Sequence, residues 1–501
     1  MALTSEDHNM KHVSTIGALS TVCLALGGCL STDSGPGEPR VEFSAEKYVS
    51  SEADSAALIT VVRTGDVSKA ASVGYSTSPG SATPGADYQP QSGVLTWEPG
   101  DATEKTFEIP LLADSELERR ETVVLNLGGV DGVALGDADK AVLEIRDNEC
   151  AGLLSDNVSD RRELEAGCYL VTNDIFVANG GQLILDPGVT LIFEASARLE
   201  INQGGSLTAV GSPEQRIVLT GAEKTPGYWQ GVSFVGADSQ DNRLSWVTIE
   251  YGGASAESAN LVVRGNSEKR ARVRVDNAIL AQGGGYGFIF RDSADIDDFS
   301  VITSTGNAAG AGRMPMSYAP LLDAANSSFF GNKRDYLDLT PETLDEDQTW
   351  PAINAAYGMA SGTHTLHAAL TLQPGIVLAF DRDARLLVEG DGALNAIGAA
   401  DSRIVFTAQE QTPGYWAGIE IAGSDDDVAS NFQYVDISYG GGAGNLANLN
   451  LSGAAEGLAL ASITDSTITN SAGLGIRVGP DNAFIQQSGN FFADNQGGDI
   501  N

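Results

Sequence analysis

From residue 41 onward, hydrophobic and polar positions alternate with a period of two along short runs. From 41 to 149 the apolar runs VEFSA, ALITVVRTG, ASVGYSTS, GVLTWEPG, KTFEIPLLAD, ETVVLNLGG and KAVLEIRDNE are divided by turn residues at roughly even spacing. Seven such runs predict an antiparallel β-sandwich. Beyond 150 the runs are shorter: QLILD, VTLIFE, ARLEIN, SLTAVG and RIVLTG are separated by one to a few residues rich in Gly, Asn, Asp or Pro. These connections lack two-residue hairpin signals, and the segments recur in the same order and sense. Coils stacked on coils satisfy that pattern, with Val, Ile and Leu turned inward into one core and Gly and Asn at the corners.

A long internal repeat supports the stacking. TPGYWQG at 225–231 returns as TPGYWAG at 412–418, an offset of 187. The same offset aligns LDPGVTLIFEASARLEINQGGSLTAVG from Leu185 with LQPGIVLAFDRDARLLVEGDGALNAIG from Leu372. It becomes 188 further on, pairing Tyr251-Gly252-Gly253 with Tyr439-Gly440-Gly441. The duplicated blocks span about 183–290 and 370–478 of a region, 150–501, expected to hold roughly fifteen coils of ~20 to 25 residues. Residues 291–350 lack a clean partner and include AAGAGRMPMSYAPLL, expected to be the longest irregular stretch. Packing on the coil is the favoured role for the repeated aromatics. The other is stacking on a sugar ring, which makes Trp229 and Trp416 candidate glycan contacts.

The composition suits this architecture. Gly occurs 59 times among 501 residues, and Asp and Glu outnumber Lys and Arg by 67 to 29, for a formal net charge of -38. Such a surface repels phosphate backbones and anionic lipid and favours divalent cations, so nucleic acid is excluded as a partner.

The 41–149 segment resembles a Calx-beta domain, the calcium-binding sandwich of sodium/calcium exchangers and many bacterial surface proteins. The resemblance rests on Ser81-Ala82-Thr83-Pro84-Gly85-Ala86-Asp87-Tyr88, on Ser92-Gly93-Val94-Leu95-Thr96-Trp97-Glu98-Pro99-Gly100, on Asp114 with Glu118 and Glu121, and on Asp147-Asn148-Glu149. It implies Ca2+ as the cofactor, held by carboxylates from loops at one end of the sandwich. Carried over, these are Glu52, Asp87, Asp114, Glu118, Asp147 and Glu149. Calcium takes six to eight oxygens. Ala113 and Asn148 stand where the family has carboxylates, which implies fewer ions or weaker binding, although Asn148 still offers a carbonyl oxygen. A metal-free sandwich that keeps the family's loops is the alternative. The region from 150 resembles the right-handed parallel β-helix of bacterial surface proteins, a fold also used by pectate lyases.

The N-terminus resembles a bacterial lipoprotein signal. From Met10 the chain reads MKHVSTIGALSTVCLALGGC, a short basic start and an apolar run ending at Leu26-Gly27-Gly28-Cys29. The resemblance implies a start at Met10, cleavage within the 1–29 signal region, a lipidated Cys29 that anchors the protein in a membrane, and outer-membrane sorting because Leu30 follows. Residues 30–40 read as a flexible tether. Cys150 and Cys168 then remain as the pair in the exported part, expected to form a disulfide that stabilises by roughly 3 kcal/mol and to staple the junction between the two regions. Two buried free thiols are the alternative.

Catalytic motifs are sparse. No GxSxG, Walker loop or CxxC pair occurs. Carboxylates do not repeat across the copies: Glu250 pairs with Ser438, and Asp276 with Thr464. His364 and His367, three apart on an expected strand, fall on opposite faces and read as surface histidines. The expected function is therefore a calcium-binding, lipid-anchored protein of the bacterial envelope, whose β-helix is a non-catalytic binding or adhesion scaffold for a polysaccharide or a cell-surface protein. A polysaccharide lyase or glycoside hydrolase on the helix is the alternative.

Overall fold

The structure, a computed structural model, describes residues 37–114, 121–146, 150, 152–423, 428–453, 457–480 and 482–501. The signal region and Cys29 lie outside the described residues, as do Glu118, Asp147 and Glu149. The described chain forms two compact units, one ending at Arg146 and the other running to Asn501.

The first unit is a sandwich of nine strands: β1 (Arg40–Phe43), β2 (Lys47–Ser51), β3 (Ala56–Thr64), β4 (Ala71–Pro79), β5 (Ser92–Trp97), β6 (Lys105–Pro110), β7 (Glu121–Asp131), β8 (Ala134–Leu135) and β9 (Lys140–Arg146). One sheet runs β6-β3-β1-β8 and the other β2-β9-β7-β4-β5. Alternation along β3 buries Ala57, Ile59, Val61 and Arg63, and the inward residues of both sheets close over Tyr88 and Trp97. The antiparallel expectation needs one correction, because β1 pairs β8, and β2 pairs β9, in parallel. The break at 44–46 sends the first run into one sheet and its continuation into the other, so one edge of each sheet closes with a parallel partner.

The second unit is a parallel β-helix. Every strand pairing from Gly152 onward is parallel among the described residues. One 13-stranded sheet runs from Ile175–Val177 to Phe491–Ala493. Two others, of seven and six strands, accompany it up to Thr303–Thr305 and Ala294–Ser300. A second pair of seven and six begins at Thr343–Leu344 and Gln348–Trp350. Thirteen strands on the continuous face, with a further bridge between Val158 and Val177, lie close to the fifteen coils expected. The inward positions form one unbroken core from Leu154 to Ile476.

AAGAGRMPMSYAPLL, expected to be the longest irregular stretch, is instead ordered as the strand Gly310–Pro315 and the 3-10 helix Met316–Leu321. Residues 291–350 hold the strands Ala294–Ser300, Thr303–Thr305, Gly310–Pro315, Tyr336–Thr340, Thr343–Leu344 and Gln348–Trp350, with the 3-10 helix between the third and fourth. Gly310–Pro315 and Tyr336–Thr340 are direct neighbours on the continuous sheet. Around this coil the two copies change phase. Val189–Phe193 lies in the first seven-stranded sheet, whereas its duplicate, Val377–Phe380, lies in the continuous one. Leu199–Asn202 lies in the continuous sheet, and its duplicate, Arg385–Val388, in the second seven-stranded sheet. The repeat offset is thus not a whole number of coils, and the second copy is turned by one face.

Corners are held the same way in both copies. Trp246 and Tyr434 sit at φ 52° and 48°, as do Asn277 and Asp465 at 52° and 51°, the left-handed region that turns a strand onto the next face within one or two residues. A repeated arginine stabilises these turns. Arg216 donates to the carbonyls of Val247 and Asn277 at 2.8 and 2.7 Å, and Arg403 to those of Val435 and Asp465 at 2.8 and 3.1 Å. Burial lowers the pKa of the Arg216 guanidinium. Cys150 and Cys168 form a disulfide with Cα atoms 4.6 Å apart. Its position corrects the junction staple: both cysteines belong to the helix, where Gly152–Leu154 pairs with the strand Gly167–Val171 that carries Cys168.

Candidate functional site

Hydrogen bonding gathers several acidic loops at one end of the sandwich. β2 ends against the end of β9, with Ser51 opposite Arg146, and the Glu52 N–H donates to the Arg146 carbonyl at 2.7 Å. β3 begins opposite the end of β6, with Ala56 facing Pro110. The Leu111 N–H reaches the Ser55 carbonyl at 3.2 Å and the Leu112 N–H the Asp87 carbonyl at 3.0 Å. The turns after β2, before β5 and after β6 therefore share one end with the start of β7, where Glu121 faces Ile145. Glu52 and Asp87 are 3% and 2% exposed there. The Thr83 N–H donates to Asp87 Oδ2, so the turn 83–87 closes on its own carboxylate. Asp114 lies two residues beyond Leu112.

On the helix, the repeated tryptophans are packing residues. Trp229 and Trp416 are both fully buried, stacked 4.0 Å from Phe193 and Phe380 at interplanar angles of 10° and 11°. Each indole N–H donates at 2.8 Å to a carbonyl one coil on, that of Glu250 or Ser438. No ring face remains for a sugar, which withdraws Trp229 and Trp416 as glycan contacts. The histidines do lie on opposite faces, but His364 is not a surface residue. It is fully buried in the core, with Nε2 2.9 Å from the Ala360 carbonyl oxygen, and burial lowers its pKa to about 4. His367 is exposed between Asp345 (3.0 Å) and Glu389 (3.3 Å), and its hydrogen bonds to these carboxylates raise its pKa.

Two further features escaped the sequence. Tyr286 donates to Asp338 at 2.6 Å, and Arg334 reaches the same oxygen at 3.0 Å. Burial, then Asp338, pushes the Tyr286 hydroxyl up to about 12, so at neutral pH it is a hydrogen-bond donor and not a base. Asp338 fits only because Gly358 is opposite: a Cβ there would lie 2.4 Å from Oδ1. The second feature is a shallow depression of about 520 Å³ along one corner, lined by Asn179, Asn202, Gln203 and Asn266 with Gly180 and Gly204. Among the described residues, no group of three or more His, Cys, Asp or Glu side chains is placed to hold a metal, and no helix is long and apolar enough to cross a membrane.

Comparison with known proteins divides the chain at the same point as the fold. Residues 37–149 match the family model described as the Calx-beta domain, and residues 156–270 match a pectate-lyase-like β-helix domain. Residues 37–149 are a Calx-beta domain. The chain is 37% identical over 123 residues to the extracellular matrix organizing protein FRAS1 of Homo sapiens, covering 23% of this chain and 3% of that protein. It is 38% identical over 92 residues to sodium/calcium exchanger 3 of Rattus norvegicus, covering 18% of this chain and 10% of the exchanger. The chain thus spans a tenth or less of the length of these relatives. Among solved structures, the apo-form Calx CBD1 domain is 32% identical with a TM-score of 0.22, covering 22% of this chain and 98% of that one. The catalytic unit of a GH87 α-1,3-glucanase from Streptomyces thermodiastaticus is 12% identical with a TM-score of 0.23, covering 89% of each chain.

The Calx-beta domain of this chain has the donor chemistry for a hard cation. Moving an ionised carboxylate out of water costs several kcal/mol unless a countercharge or hydrogen bonds offset it. Glu52 and Asp87 bring two buried carboxylates to the end where the acidic loops meet, and the Thr83 N–H offsets part of that cost at Asp87. Both are hard oxygen donors of the kind calcium takes, whereas Asp114 is exposed and falls in the second unit. Glu118, Asp147 and Glu149 lie outside the described residues.

Proposed function

We propose that the protein is a calcium-binding component of the bacterial envelope, anchored by lipid at Cys29, whose Calx-beta sandwich is stiffened by Ca2+ and whose β-helix is a non-catalytic scaffold for binding a glycan or cell-surface partner. The observation that carries the calcium part is the paired burial of Glu52 and Asp87 at one end of the sandwich. Bound calcium supplies positive charge that draws the carboxylates of separate loops together, so those loops are tied where they would otherwise repel. Similarity to a sodium/calcium exchanger and to an extracellular matrix protein supports calcium binding and an extracytoplasmic setting.

The second reading, a polysaccharide-active enzyme, is favoured by the match of residues 156–270 to a pectate-lyase-like helix. The scaffold reading is preferred because the corner depression is lined by amides, glycines, Ala178 and Val235, none of which transfers a proton at neutral pH. Calorimetric titration of the chelator-stripped full chain with CaCl2 tests the calcium part. Wild type is expected to bind, and the double substitution Glu52→Gln, Asp87→Asn to weaken binding at least tenfold. Wild type that takes up no calcium at millimolar concentration overturns the proposal.

A further inference from the structure

We infer that the corner depression of the first copy is a binding site for a neutral oligosaccharide lying along the helix axis, an inference that rests on the scaffold reading and names its ligand. The depression follows four consecutive strands of the continuous sheet, Ile175–Val177, Leu199–Asn202, Val232–Val235 and Ala259–Arg264, held in register by pairs such as Val177 with Ile201 and Asn202 with Val235. Each strand delivers its corner residues to the same edge, so the lining groups repeat once per coil.

Those groups are side-chain amides with capacity to spare. Asn179, Asn202 and Gln203 make no side-chain hydrogen bond among the described residues. Asn266 uses only its Oδ1, which accepts the N–H groups of Glu268 and Lys269 at 2.8 Å each, and its Nδ2 lies against Gly236. An amide presents a donor and an acceptor together, as does a sugar hydroxyl. Room for a ligand comes from the backbone: Gly180 and Gly204 have φ of 94° and 77°, and a Cβ on Gly180 would meet nothing within 4 Å. Adjacent coils are about 4.8 Å apart, roughly the length of one hexose along an extended glycan. Amides on the coils of Asn179, Asn202 and Asn266 therefore address sugars along the chain, with the apolar Val235 on the coil between Asn202 and Asn266.

Charge selects within the glycans. No lining residue is ionisable, and a net charge of -38 opposes the approach of a polyanion, so a neutral chain is favoured over a uronic acid polymer. The duplicate provides an internal contrast. At the 187-residue offset, Gly180, Asn202 and Gly204 become His367, Glu389 and Asp391, and that corner is spanned by the contacts of His367 with Asp345 and Glu389. The amide corner is particular to the first copy.

The test is a calorimetric titration of the full chain with cellohexaose, laminarihexaose and maltohexaose, and with a galacturonate oligomer, each at millimolar concentration. Wild type is expected to bind at least one neutral hexaose. Asn202→Ala with Gln203→Ala should weaken that binding tenfold or more, whereas His367→Ala in the second copy should leave it unchanged. Neutral binding that survives the amide substitutions would place the ligand elsewhere and leave the scaffold reading standing. Binding of the galacturonate oligomer alone would overturn the ligand class, and binding of none would overturn the inference together with the glycan part of the proposed function.

Discussion

The buried histidine gives the helix a calculable sensitivity to acid. His364 lies in the core where the first copy has Val177, with Nε2 bound to the Ala360 carbonyl and Nδ1 buried without a partner. Its pKa falls from 6.5 to about 4 because burial disfavours the imidazolium. Below pH 6.5 the unfolded chain therefore takes up a proton that the folded chain refuses until about pH 4. Stability is complete above the unfolded value and is lost as pH falls through this window, by about 3 kcal/mol at 1.36 kcal/mol per pKa unit. His367 pulls in the opposite sense. Its raised pKa stabilises at low pH and fades as pH rises through the folded value. Comparing wild type with His364→Leu cancels that contribution and those of the carboxylates. Urea unfolding followed by tryptophan fluorescence, between pH 7.5 and 4, should show the variant at least as stable as wild type at pH 7.5, since an unsatisfied buried nitrogen costs about 1 to 3 kcal/mol. The gap should widen in the variant's favour by about 3 kcal/mol by pH 4. Parallel stability curves across that range would refute the reasoning.

Three further outcomes follow from the packing. Replacing Cys150 and Cys168 by serine should destabilise the first coil of the helix by about 3 kcal/mol, read as lower unfolding midpoints and faster amide exchange around Gly152–Leu154. Trp229→Ala and Trp416→Ala should each cost about 3 to 5 kcal/mol without changing oligosaccharide binding, because both rings are wholly internal; a loss of binding with unchanged stability would restore them as glycan contacts. Arg216→Met removes two charge-assisted bonds to corner carbonyls and should lower stability by about 2 to 3 kcal/mol in denaturant titrations.

The alternation, the duplication and the cysteine pair were all legible in the sequence, because each is a local pattern or an exact spacing. The phase change between copies was not. It depends on how many residues fill one coil, and the 3-10 helix at Met316–Leu321 alters that count without breaking the repeat. The burial of His364 was legible in principle: period-two alternation puts it on the same side as Leu366, and alignment puts it on Val177, so its polarity obscured a core position. The tryptophans were ambiguous because a corner residue turns inward or outward according to backbone angles that composition does not reveal. The amide depression joins residues 24 or more apart, such as Asn179 with Gln203, and only the strand register brings them together.

The most direct test of calcium stiffening is thermal unfolding of the full chain, first in chelator and then with increasing CaCl2, with Trp97 reporting the sandwich and the helix tryptophans its partner. A ligand that binds only the native state stabilises by RT ln(1 + [L]/Kd), about 2.7 kcal/mol at one hundred times Kd. The sandwich transition should therefore rise by several degrees and keep rising with calcium, while the helix transition stays in place. A sandwich transition that does not move in millimolar calcium, or that moves equally in the Glu52→Gln, Asp87→Asn protein, would contradict the account.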